Sequence, residues 1–454
     1  MDAPEISIEN RSALASSDAR GAALDCLAAG IEAAHPRAVV SDALSLDGGE
    51  LTVRAVDGAT ATYDLDGYDR VLVLGGGNAA GHFAAALEAL LGERIDGSAV
   101  VTDDPAETDR VEVLPGDHPV PSERGVESAA RILDLADRAE ADDLVIGCIT
   151  GGGSALLPAP AGDLSLADLR ATTDALLASG APIDEINAVR KHLSAIKGGR
   201  LARAAAPATV VGLAISDVVG DDLGVIASGP LSLDPTTFRD ALDVLERRDV
   251  DVPAAVREHL RAGADGDFAE TPTAEDAAFD RAAVHVVASA RTALDAAREV
   301  AAERGYEPMV LSARVRGEAR EAAKTHAAVT EEIHETGNPI EPPAVVLSGG
   351  ETTVTLGDDH GRGGPNQEFV LSGALELDVP AVVAAVDTDG IDGATDAAGA
   401  IADAETVDDA AARDALSRND AYPVLDDADA LLRTGATGTN VNDLRVFVIE
   451  DSSW

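Results

Sequence analysis

A chain of 454 residues is about three times a typical ~150-residue domain, so two sizeable cores are expected. Acidic residues number 82 against 34 basic ones, and a net charge of −48 disfavours nucleic acid and anionic membranes as partners. Hydrophobic residues make up 46% and aromatics only 2%, so the chain reads as α/β layers of Ala, Val, Leu and Ile under a halophilic kind of acidic shell.

Residues 12–34 place Leu14, Leu24, Leu27 and Ile31 at helical spacing, and His35-Pro36 stops them, so a helix opens the chain. Short apolar runs then alternate with Ala-rich helical stretches. The expected strands are 71–74, 98–102, 144–150 and 210–216, with helices ending near Leu91 and spanning about 125–139. Continuous apolar strands between amphipathic helices predict a largely parallel sheet covered on both faces. From about Asp234 to Glu275 the strand signal disappears and charge rises, which suggests a partly exposed helical connection. A second series follows, with strands at 283–289, 308–313, 344–352, 379–390 and 445–450 and a long helix ending near His334. The expected domains are therefore 1–235 and 281–454, joined by a charged helical connection over 236–280. Cys26 and Cys148 lack metal or redox spacing, the N-terminus lacks a signal-peptide pattern, and no run of about 18 apolar residues occurs. A cytoplasmic chain is the expectation.

Six Gly-rich stretches follow or flank the strands: LGGGNAAG (74–81), TGGGSALL (150–157), ASGP (227–230), SGGETT (348–353), GRGGPNQE (361–368) and TGATGTNVND (434–443). One such stretch is more often a tight turn than a ligand site. Six, at the carboxyl ends of strands where backbone N–H groups are free, point to an enclosed polyanion. No P-loop pattern exists, but Gly75, Gly76, Gly77, Asn78, Ala79 and Ala80 satisfy G-x-G-x-x-A after a strand, a weak dinucleotide signal whose acid, Asp103, lies late.

Only three of the basic residues are lysines, Lys191, Lys197 and Lys324, and two of these fall in EINAVRKHLSAIKGGRLA (185–202) with Arg190 and Arg200. Helical pitch would put Arg190 and Lys197 on one face. So dense a basic cluster in so acidic a chain predicts a phosphate or carboxylate site. Acids also gather at strand ends: Asp217, Asp221 and Asp222 after 210–216, and Asp387, Asp389, Asp392 and Asp396 after 379–387. Carboxylates beside glycine there suit Mg²⁺ or base catalysis. Ser154 lacks the nucleophile-elbow pattern and is read as a ligand donor, while His118 and His192 are read as structural.

GDHPVPSERG, TGGGSALLPAP, LLASGAPIDEINAVRKHLSAIKGGRLA, SDVVGDDLGVIASGP, SGGETTVT, GGPNQE, DTDGIDGATDAAGA and TGTNVNDL together resemble the type-2 glycerate kinases, with DUF4147 and MOFRL regions, in a haloarchaeal-like form. The resemblance covers about residues 12–450. It implies two α/β domains, an active site in the cleft between them, and ATP-dependent, Mg²⁺-assisted phosphorylation of D-glycerate at the 2-hydroxyl by a monomer or homodimer. Under it, Gly75, Gly76 and Gly77 with Gly151, Gly152, Gly153 and Ser154 cradle anions, and Arg190, Lys191 and Lys197 supply charge. Asp217 binds Mg²⁺ or deprotonates glycerate, and Glu351, Asn366, Asp389, Asn440 and Asn442 line the nucleotide side, Asp389 as a second metal ligand. Two positions depart from the family pattern: Asn78 stands where a lysine is usual, and Pro365 where an arginine is. Arg362 with Lys191 and Lys197 would then cover the phosphates. The alternatives are an NAD(P)H-dependent hydroxypyruvate reductase, or an inactive relative that binds glycerate or nucleotide.

Overall fold

The computed structural model describes residues 4–357 and 359–451. The chain forms two compact units, one of residues 39–287 and one that joins residues 1–38 to 288–454.

The 39–287 unit is built on a six-stranded sheet. Its strands are Arg70–Gly76, Ser98–Thr102, Val111–Pro115, Asp143–Ile149, Thr209–Ile215 and Ala282–Ala288. Numbered in that chain order they lie across the sheet as 3-2-1-4-5-6, and the first five are parallel. Every residue of Asp143–Ile149 is buried, as expected for a strand covered on both faces. Leu72, Leu74, Val101, Ile132, Val145 and Val210 share one aliphatic core around it. The strand order reverses between Arg70–Gly76 and Asp143–Ile149, the position at which open α/β sheets form a ligand crevice.

Three features of this unit depart from the sequence reading. An antiparallel meander, Leu44–Asp47, Glu50–Arg54 and Thr60–Asp64, precedes the sheet. Val111–Pro115 is a strand that its single short turn had hidden. The charged stretch after Asp234 is not a connection but part of the unit. Its helices Phe238–Arg247 and Ala254–Ala264 bury Phe238, Val244, Leu245, Val256 and Leu260 against Leu176, Ile186 and Val189. Charge on the outer face of these helices masks that buried stripe.

The other unit carries a mixed six-stranded sheet, not a largely parallel one. Its order is Glu307–Glu318, Ala344–Thr353, Asp443–Ile449, Ala381–Asp387, Gly399–Ala402 and Leu431–Leu432, with only the first pair parallel. The chain-terminal strand Asp443–Ile449 inserts between Ala344–Thr353 and Ala381–Asp387 and runs antiparallel to both. Phe447 of this strand is met by His326, stacked on its ring, and by Phe369, edge-on.

The opening helix Asp18–Ala34 belongs to this unit, so the compact units divide the chain differently from the boundaries expected above. Ser17 caps it by accepting from the Arg20 N–H, and Arg20 bonds Asp403. Its Gly30 permits a close crossing: a Cβ there would lie 2.4 Å from a Leu444 methyl and 3.0 Å from the Ala293 carbonyl oxygen. Gly30→Val should therefore overpack this crossing and cost about 1–3 kcal/mol, read as a lowered urea midpoint. An unchanged midpoint would show that the helix is not docked here.

Candidate functional site

Glycine geometry draws the two loops at the reversal together. Gly75 and Gly77 hold φ of +154° and +148°, and a Cβ on Gly75 would lie 2.0 Å from the Cys148 carbonyl oxygen. A Cβ on Gly77 would lie 2.1 Å from Thr150 Oγ1. Gly76 is equally hemmed in, its Cβ position 2.8 Å from the Val101 carbonyl oxygen. Beyond the strands, a Cβ on Gly152 would strike the Asn78 amide at 1.8 Å, and one on Gly151 would strike the Asp217 carboxylate at 2.2 Å. Asn78, Gly151, Gly152 and Asp217, from three strand ends, therefore meet. Gly153 begins the short helix Gly153–Leu156, which places Ser154 beside them.

Asp217 accepts a backbone hydrogen bond from Gly152, and His118 lies near enough to favour its ionised form. Burial is the stronger effect and pushes its carboxyl above the usual range. Asn78 Nδ2 donates to both oxygens of Asp103, each at 3.0 Å. Ser154 Oγ lies 2.5 Å from Ser228 Oγ, and Ser228 donates to Asn187 Oδ1 at 3.0 Å. Ala227, Ser228 and Gly229 all have positive φ, a run of strained backbone that holds this hydroxyl chain in place.

The basic cluster is brought together, though not on one helix. The helix Ile183–His192 ends before Lys197, and a new one begins at Arg200, so the helical-pitch argument fails. The intervening turn folds Lys197 back instead, and Arg190 lies close enough to depress its pKa. Lys197 Nζ donates to the carbonyls of Ser154 at 2.9 Å and Leu157 at 3.1 Å. Burial, then Arg190, pull its pKa from 10.5 to about 7. Neither Arg190 nor Lys197 pairs with a carboxylate among the described residues. Lys191 does: its ammonium lies 3.2 Å from Asp234, and both side chains are buried. Lys324 forms an exposed pair with Glu321 at 2.8 Å.

In the other unit, a second cluster forms at strand ends. Asp387 and Asp443 are cross-strand partners, and Arg445, fully buried, bonds Asp443. Burial, then Asp389, Asp443 and Asp392, push the Asp387 carboxyl well above the usual range. Asp389 accepts from Asn440 Nδ2 at 3.4 Å, and the Asn442 N–H donates to Asn440 Oδ1 at 2.9 Å. Asn366 donates to Asp443 at 2.6 Å. Asp392 receives the N–H groups of Asn366 and Gln367, both at 2.9 Å, and so caps the helix Pro365–Glu376.

Two expected residues stand elsewhere in that unit. Glu351 is exposed on the strand Ala344–Thr353. Arg362 bonds Asp396 at 2.8 Å, and its guanidinium carbon lies 3.7 Å from the centre of the Tyr422 ring. Sequence reasoning missed Asn187, Ser228 and Asp234, whose roles arise from distant parts of the chain. It also missed Asp443, the last residue of the Gly-rich stretch 434–443, and Arg445, which opened the expected strand 445–450. Among the described residues, no group of three or more His, Cys, Asp or Glu is arranged to hold a metal ion, and no helix is long and apolar enough to cross a membrane.

Comparison with known proteins matches residues 22–261 to the domain of unknown function DUF4147 and residues 344–443 to the MOFRL family. The chain is 39% identical to a glycerate 2-kinase of Pyrococcus horikoshii, over 95% of this chain and 98% of that one. It is 44% identical to an Agrobacterium vitis protein carrying the provisional name hydroxypyruvate reductase, over 84% of this chain and 87% of that one. A crystal structure of glycerate kinase from Thermotoga maritima superposes with a TM-score of 0.81 at 36% identity, covering 94% of this chain and 99% of that one.

Lys197 has a consequence for stability. Its depressed pKa means that the unfolded chain holds more protons between about pH 7 and 10.5, so stability from this group rises with pH across that window. Below about pH 7 the buried charge is fully opposed by folding. Lys197→Met should thus stabilise the chain at pH 7, with the gain shrinking toward pH 10, as measured by urea midpoints of both proteins across the range. A difference that does not vary with pH would contradict the burial of a titrating ammonium.

Proposed function

Because the chain belongs to the type-2 glycerate kinase family, we propose that it transfers the γ-phosphoryl group of ATP to the 2-hydroxyl of D-glycerate, giving 2-phosphoglycerate and ADP. The enzyme is a phosphotransferase with an alcohol group as acceptor. The observation that supports this reading best is the crevice of the 39–287 unit. There Asp217 packs on Gly151, Lys197 bonds the Ser154 carbonyl, and neither Lys197 nor the nearby Arg190 has a carboxylate partner among the described residues. Such a pocket has free N–H groups and unneutralised positive charge for an anion, with a carboxylate of raised pKa beside them.

In this account the N–H groups of Gly151, Gly153 and Ser154, with Lys197 and Arg190, hold the carboxylate of glycerate or a phosphate. Asp217 takes the proton from O2 as that oxygen bonds to the γ-phosphorus. The bond from the γ-phosphorus to the β,γ-bridging oxygen breaks, and ADP leaves with that electron pair. Anion binding also raises the pKa of Lys197, so the cation is fully charged when it is needed.

In the other unit, burial, and after it the neighbouring carboxylates Asp389, Asp443 and Asp392, hold Asp387 above its usual range, and a divalent cation would relieve the repulsive part. Asp389 would hold Mg²⁺ there, with Asn440 and Asn442 keeping its carboxylate and loop in place. When bound, Mg²⁺ neutralises charge on the nucleotide phosphates. The dinucleotide reading is weaker, since both oxygens of Asp103, the acid that would bind a ribose, already accept from Asn78 Nδ2. The acidic surface and the two buried free cysteines support a salt-adapted cytoplasmic enzyme, acting as a monomer or homodimer.

A coupled ADP-release assay over a panel of small hydroxy acids tests the reaction. D-glycerate should be preferred, and NADH with hydroxypyruvate should give no loss of absorbance. Lys197→Met should lower kcat/KM by about one to two decades, the worth of one charge-assisted contact, whereas Lys324→Met should be nearly silent. Equal behaviour of the two variants would remove the role given to Lys197. Melting should also rise between about 0.1 M and 2 M KCl, as screening relieves self-repulsion, and a flat melting temperature would sink the salt-adapted reading.

A further inference from the structure

A cavity of about 510 Å³ lies in the 39–287 unit, and none of Asn78, Gly151 to Ser154, Asp217 or Lys197 lines it. Its walls include Arg200, Arg203, His259 and Phe268, an unusual gathering in a chain where basic and aromatic side chains are so scarce. The volume falls in the range of small-molecule sites.

Three of its groups have unspent binding capacity. Arg200 has no carboxylate partner among the described residues. Its Nη2 reaches only the Ala269 carbonyl, at 3.5 Å, and its Nε is buried without a partner. By contrast, Arg203 is committed to Asp276 and to the Glu270 carbonyl. His259 Nε2 lies 3.1 Å from the His192 carbonyl oxygen, so that nitrogen carries the proton and donates. Burial pushes the imidazole pKa down, so Nδ1 keeps a free lone pair, and it faces Gly162, which has no side chain to cover it. Phe268 stacks on His259 with ring centres 4.8 Å apart and planes at 23°, yet is 42% exposed. One of six phenylalanines thus presents a ring face to solvent at the cavity.

We propose that this cavity is a binding site for a mononucleotide: a planar base stacked on Phe268, on the side away from His259, and a phosphate held by Arg200. Stacking on an aromatic ring and a charge-assisted contact to guanidinium are the two recurring elements of nucleotide recognition. The site also touches the turn that carries Lys197. Ser194, in the cavity wall, accepts the Lys197 backbone N–H at 3.3 Å.

Titration calorimetry of the full-length chain with AMP tests this, with saturating D-glycerate present. Wild type should bind AMP, and both Arg200→Gln and Phe268→Ala should lose one equivalent or weaken it about tenfold or more, a loss of one good contact. Both variants should melt as wild type does, and Phe268 is exposed enough that its truncation leaves folding intact. Lys197→Met should keep the same equivalent. No heat with AMP at millimolar concentration, or heat that both variants leave unchanged, would overturn the site. Inorganic phosphate binding as tightly as AMP would overturn the stacked base.

Discussion

The structure of the 39–287 unit depends on one steric constraint, the approach of two backbones where the sheet order reverses. Gly75 and Gly77 pass so near Cys148 and Thr150 that any side chain would collide with backbone or with a buried hydroxyl. The same constraint continues past the strand ends, where Gly151 and Gly152 leave room for Asp217 and Asn78. Removing these glycines would separate the strands, so the fold and the anion crevice stand or fall together. A crevice made in this way is rigid, and its N–H groups are oriented before any ligand arrives, which lowers the cost of binding.

Charge is divided between the two units in a chemically useful way. The 39–287 unit keeps Arg190 and Lys197 without carboxylate partners, although the chain carries 82 acids. The other unit crowds Asp387, Asp389, Asp392 and Asp443 around a buried Arg445. Each arrangement opposes folding by itself, since a buried charge without full compensation is expensive. An anion in the first and a cation in the second would each relieve that cost.

The two departures from the family pattern have local physical reasons. Asn78 donates to both oxygens of Asp103 from its uncharged amide, so the loop is held by a hydrogen-bond donor where a lysine would add a positive charge. Pro365 occupies the first turn of Pro365–Glu376, where a missing N–H is harmless and φ is already suitable. Asp392 then caps the two N–H groups that follow. Positive charge removed from both places leaves Lys197 and Arg190 as cations that have no carboxylate partner among the described residues.

Local pattern was enough for the parallel core, since buried strands such as Asp143–Ile149 are apolar throughout and their Gly-rich ends mark the turns. It also singled out Gly151 to Ser154, Lys197, Asp217 and Asp389 as the residues of the proposed sites, because glycine runs, rare lysines and acids at strand ends are visible one residue at a time. What the chain order concealed was pairing at a distance. The antiparallel insertion of Asp443–Ile449, the docking of Asp18–Ala34 beside Ala293 and Leu444, and the Lys191–Asp234 pair each join segments that share no local signal. Arg190 and Lys197 meet through a turn and not along a helix, an outcome set by packing of the whole unit. Periodicity reports which face of one element is apolar, whereas tertiary structure alone decides which other element covers it.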